Sequence, residues 1–335
     1  MLRGASRCTL GIVALVTACR PAPPQPAAKL HDAAPPLAPL EYVPAAGLRW
    51  LITAQPAKIL VDPALAAAMG ELLPPDRVDA FASATGVQPR ALGETIVAGY
   101  DLGTLYVTAL AAGDGGRARA RFEARLSNGA IVKHPHPQLY RIVGTRDGTP
   151  QALVSVNDQL LAFAVGDLTL ARVAEAYAER RLKSPTALHG AALSTLPAID
   201  RPLAALYAPG PFTGAWSRAA SGLLSGALAV VVAIHANEPG GLAFEIIATG
   251  DWPESGTDSR MAAAWAELTT SATGRLLGLD QAKNLKSVAH LHELTWSGEL
   301  PIAPLVAGLR AATIANVPEI FGVHAADTAG PPDKP

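Results

Sequence analysis

Between residues 138 and 166 three β-rich stretches, QLYRIVGT, QALVSVN and LLAFAVG, follow one another with Asp147-Gly148 and Asn157-Asp158 between them. Such short turn signals join antiparallel neighbours, because a parallel crossover needs a dozen or more residues. The spacing predicts an antiparallel meander, and the rest of the body is read around it.

On the N-terminal side, LRWLITA reads as a strand. DPALAAAMGELL and PPDRVDAFASATG carry helical text, with Asp62 and Pro63 suited to N-cap and first turn. ETIVAGYD and TLYVTALAA are two strands joined at Asp101-Leu102-Gly103. A helix is expected from Asp114 to Leu126, with Ala118, Phe122 and Leu126 on one face and Asn128-Gly129 as its stop. After the meander, Asp167 caps a helix expected to carry Leu170, Val173 and Tyr177 on one side.

The second half echoes the first. PLAALYAPG is a strand, AWSRAASGLLSG a short helix, and ALAVVVAIHA and GLAFEIIATGDW a hairpin across residues 237–240. Asp258 caps a helix carrying Met261, Trp265 and Leu268, KSVAHLHELTW reads as one strand, and APLVAGLRAATIANV closes as a helix. Antiparallel pairs set between helices give an α+β class, with meander and hairpins packed against helices. The halves are either related units meeting near residue 200 or parts of one continuous sheet. The expected division is a leader over 1–18, a tether over 19–40, lobes over 41–200 and 201–323, and a disordered tail over 324–335.

The N-terminus fixes an address. Arg3 and Arg7 form a basic region, Leu10 to Val16 an apolar one, and Val16-Thr17-Ala18 precedes Cys19. The apolar run is far shorter than the ~20 residues of a membrane-spanning helix. The residues VTAC resemble the lipobox of bacterial lipoproteins. That resemblance implies cleavage before Cys19, a diacylglycerol on its thiol and an acyl chain on its new amine. An ordinary secretory cut at the same bond is the alternative. Arg20 after the cysteine implies the outer membrane by the enteric sorting rule, and Pro/Ala-rich text up to Leu40 forms a semi-rigid extended tether. The body over 41–323 resembles the uncharacterised secreted α+β lipoproteins of GC-rich bacteria, a resemblance that implies no activity.

Composition excludes several classes. Cys8 and Cys19 are the only cysteines, so the body holds no cysteine nucleophile, cysteine zinc site or internal disulfide. Removing Arg3 and Arg7 with the leader leaves 25 basic against 28 acidic residues. With aromatics at 5%, no nucleic-acid partner is expected. The sequence has no Gly-x-Ser-x-Gly, Ser-x-x-Lys, Walker or dinucleotide fingerprint, and no His-Glu-x-x-His.

Two features carry candidate chemistry. His134 and His136 in KHPHP, and His290 and His292 in AHLHE, form His-x-His pairs that an extended chain would present on one side. Brought together, the pairs would supply zinc ligands; read apart, they are surface histidines on strands. Arg117, Arg121 and Arg125 recur at helical spacing as a basic stripe, with Arg119 adding a fourth charge. The stripe is either a contact for anionic lipid headgroups or a solvated face of ion pairs. The resulting expectation is a non-catalytic, lipid-anchored envelope protein without a cofactor, partnered by the membrane through its anchor and by another envelope protein. The alternative is a metal-dependent hydrolase built on the four histidines, with zinc as cofactor.

Overall fold

The computed structural model describes residues 38–310 apart from 64, 112, 134–135, 184–201, 238–240, 254 and 309. The leader, Cys19, the tether up to residue 37, His134, the expected lobe boundary and the tail therefore lie outside the described residues.

Alternating apolar residues in LRWLITA give β1 (Leu48–Ala54). Pro56 then opens α1 (Pro56–Val61), since proline is preset for a first helical turn. Asp62, expected as an N-cap, closes this helix instead: its N–H donates to the Lys58 carbonyl at 3.0 Å. The next helix, α2 (Ala66–Leu72), starts only after Leu65. α3 (Pro75–Thr85) stops at Gly86, whose φ of 77° is left-handed. β2 (Leu92–Tyr100) and β3 (Gly103–Leu110) make the expected hairpin.

α4 (Asp114–Ala124) is shorter than expected. Asn128-Gly129 does not end a helix but lies inside an unforeseen edge strand, β4 (Ser127–Lys133). Asn128 at φ 55° sits where the β4 register shifts, so the turn signal marks an irregular strand start. The meander is as expected: β5 (Leu139–Arg146), β6 (Thr149–Val156) and β7 (Leu160–Gly166). α5 (Leu168–Lys183) follows, capped by Asp167, which accepts the Thr169 N–H at 2.8 Å. Its buried face is Leu170, Ala171, Ala174 and Ala178, while Val173 is exposed. The alanines bring the helix axis close to the sheet, rotating it away from the face that periodicity selected.

β8 (Ala204–Pro209), α6 (Ala215–Arg218), β9 (Ala227–Asn237) and β10 (Gly241–Gly250) continue the chain. α7 (Thr257–Thr270) buries Met261 and Ala264, and α8 (Ala272–Leu276) follows. KSVAHLHELTW is not one strand. The chain reverses at Leu291-His292, giving β11 (Lys283–His290) and β12 (Glu293–Leu300). A helical stretch over 302–308 comes last.

The twelve strands of the described residues form one antiparallel sheet, in the order β11-β12-β10-β9-β8-β1-β2-β3-β7-β6-β5-β4. Each half runs outward through three strands, crosses by helix to an edge strand, and returns to lie beside the third. β1 and β8 pair at the seam, with Ile52 opposite Leu206. Leu51, Ile96, Leu105, Leu160 and Tyr207 lie in a core under α5 and a turn at Pro39–Tyr42. Fully burying each large apolar side chain contributes about 1.5–3 kcal/mol. The opposite face is covered near one edge by Ala118 and Phe122 of α4, and near the other by Met261 and Ala264 of α7.

Between those flanks the opposite face holds one continuous apolar row. Reading across register, Trp296, Ile246, Val232, Leu206, Ile52, Val97, Tyr106, Phe163, Leu153, Ile142 and Ile131 stand side by side on eleven strands. The middle is partly exposed: Leu206 and Ile52 are each 39% exposed and Tyr106 40%.

Candidate functional site

α4 docks by one face and offers the other. Phe122 packs edge-on against Phe163 with ring centroids 5.3 Å apart. Arg119 is held sideways, 2.9 Å from Asp158 and 4.7 Å above the Tyr140 ring. Of the glycines in GDGGRA, Gly115 is explained by contact. A Cβ at Gly115 would fall 2.1 Å from the Asp158 carbonyl oxygen, so the first turn of α4 touches the β6–β7 turn only without a side chain.

α3 meets α4 in the same way. A Cβ at Gly86 would lie 2.9 Å from the Arg117 carbonyl oxygen. Beside this close approach opens a cleft of about 560 Å³, within the span typical of small-molecule sites. Ala82, Ala120 and Ala124 line it with methyl groups, and Arg117, Arg121 and Gln88 with polar ones. Arg117 donates to the Asp114 carboxylate one turn earlier. Arg121 and Gln88 have no side-chain hydrogen-bond or ion-pair partner among the described residues.

The expected arginine stripe is thus divided. Arg117 and Arg121 share the cleft, but Arg125 does not join them. It sits at the C-cap of α4, half-buried, with its guanidinium 5.9 Å from the Phe122 ring centroid. Burial, reinforced by nearby Arg146, lowers its pKa from the ordinary arginine value. Helical spacing cannot be extended past the residue where the helix stops.

The histidines are not gathered. His136 stands just before β5, where its Nδ1 accepts the Gln138 N–H at 3.3 Å. His290 ends β11 opposite Glu293, and His292 lies in the turn with its Nδ1 2.8 Å from Asp251 Oδ1, both side chains exposed. His136 and the His290–His292 segment therefore belong to opposite edges of the sheet. Because the chain reverses at His292, the alternation that would align it with His290 does not hold. Among the described residues no three His, Cys, Asp or Glu side chains are grouped to hold a metal ion. Nor is any described helix long and apolar enough to cross a membrane.

Two features were not seen in the sequence: the cleft and the partly exposed apolar row. Each strand's alternation marks its own residues, but only the register between strands joins them into a row.

No protein-family model matches the chain, and no curated protein sequence matches it. Among solved structures, crystal form IV of TP0453 is similar over 82% of this chain and 96% of that one, at 10% identity and a TM-score of 0.44.

Proposed function

We propose that this chain is a lipid-anchored cell-envelope protein, attached through Cys19, whose α+β body binds another envelope component without catalysing a reaction. The observation that carries this is VTAC, a small-residue junction ending a short apolar run, followed at once by a Pro/Ala-rich stretch. Two or more acyl chains hold a protein firmly where one holds only marginally. The tether, at ~3.1 Å per residue in extended geometry, stands the body off the membrane surface. Arg20 supports the outer membrane as the compartment.

The shared strand order supports a second element of the proposal, that the two halves are related units joined at the β1–β8 seam.

The test is Cys19→Ala. Mass spectrometry of the membrane-extracted wild type is expected to show a lipid-modified species beginning at Cys19. The variant is expected to lose the added mass and leave the membrane fraction. Unchanged membrane retention of Cys19→Ala would overturn the proposal.

A further inference from the structure

We propose that the α3–α4 cleft binds a single oxyanion headgroup carried on a short apolar stem, with Arg121 and Gln88 as its donors. The cleft combines two unlike surfaces. Its lining holds the Arg121 guanidinium and the Gln88 amide, both without partners among the described residues, together with the methyls of Ala82, Ala120 and Ala124. A guanidinium matches a phosphate or carboxylate through paired N–H donors, and such charge-assisted bonds are the strong ones.

Arg117 plays a different part. Its charge is offset by Asp114, one turn away and almost buried. It frames the cleft, and the free positive charge there is that of Arg121. One unbalanced cation fits one anionic group better than a polyanion, and separates this cleft from a general basic patch.

The methyl wall sets the other half of the ligand. A bare inorganic anion would leave Ala82, Ala120 and Ala124 facing water. Each methylene seated against them instead raises affinity by up to about fourfold. The chemistry is that of an amphiphile, which a membrane lipid headgroup or a free small molecule could supply. This inference does not depend on the anchor at Cys19.

The test uses the full chain carrying Cys19→Ala, so that no anchor holds it to lipid. Isothermal titration compares hexyl phosphate with inorganic phosphate, and co-sedimentation compares phosphatidylcholine vesicles with and without phosphatidylglycerol. Hexyl phosphate is expected to bind at least about tenfold tighter than inorganic phosphate, given several seated methylenes. Arg121→Ala should weaken it about tenfold, the loss expected for one charge-assisted pair. Arg180→Ala, which removes an exposed charge on α5, should leave it unchanged. Ala120→Leu fills the cleft and should weaken hexyl phosphate while the melting temperature reports that the fold is kept. Arg121-dependent sedimentation with the anionic vesicles would identify a lipid as the source. Hexyl phosphate binding without sedimentation would identify a free amphiphile. Equal affinity for the two phosphates, or equal losses in Arg121→Ala and Arg180→Ala, would overturn the proposal.

Discussion

The indole of Trp50 sits against Gly99 on the neighbouring strand: a Cβ at position 99 would fall 2.2 Å from the ring's Cε2. The two residues are register partners on β1 and β2. Any side chain at 99 displaces the ring. Gly99→Ala is expected to swing Trp50 outward, lower stability by about 1–3 kcal/mol and shift tryptophan emission to the red. An unchanged spectrum and melting temperature would show that the ring has room to move.

Glu94 on β2 is half-buried, and it has no hydrogen-bond or ion-pair partner among the described residues. Burial pushes its carboxyl pKa up. A folded-state pKa above the unfolded one means stability is full below the unfolded value, near pH 4, and declines as pH rises through the folded value. Glu94→Gln removes that decline. Melting curves should show the variant more stable than wild type at pH 8, with the gap closing in mild acid; parallel profiles would contradict this.

Arg141 on β5 and Glu175 on α5 form an ion pair at 2.9 Å with both side chains mostly shielded. The Arg141 Nε–H is not aligned for a hydrogen bond, so charge and position carry the contact. Glu175→Ala strands a guanidinium and should cost about 3–5 kcal/mol. The double variant Arg141→Met/Glu175→Leu should recover most of that loss in chemical denaturation, since a matched apolar pair needs no partner charge.

Tyr207 at the seam is fully buried, and its hydroxyl meets no acceptor or donor among the described residues. Desolvation accordingly raises its pKa. Tyr207→Phe is expected to be neutral or to gain about 1 kcal/mol, by removing an unsatisfied buried group. A marked loss in a denaturant midpoint would reveal a partner, such as an enclosed water.

Local order was legible in the sequence where one residue controls one turn. Asp147-Gly148, Asn157-Asp158 and the Asp167 cap all behave as their chemistry dictates. Errors arose where the same residue types serve two purposes. Asp62 suits an N-cap, but Pro56 had already begun a helix that ends at Asp62. Asn128 and Gly129 suit a helix stop, and a left-handed residue suits an irregular strand start equally well. His290 and His292 look aligned in an extended chain, but only pairing with β12 reveals the reversal between them. Of the candidate site, the arginine periodicity was readable from the spacing. The cleft was not, because Ala82 and Ala120 become neighbours only when Gly86 lets α3 touch α4.

The seam has a consequence for synthesis order. Thr53 pairs with Ala205, so β1 must wait for roughly half the chain before its second neighbour exists. In a chain emerging N-terminus first, the nearer half can complete its local hairpins early while β1 keeps one bare edge. Such an edge is a template for wrong pairing. A holding factor acting before the second half is released would therefore matter most during that interval, and slowing the release of residues 202–209 should increase aggregation more than an equal delay beyond β10.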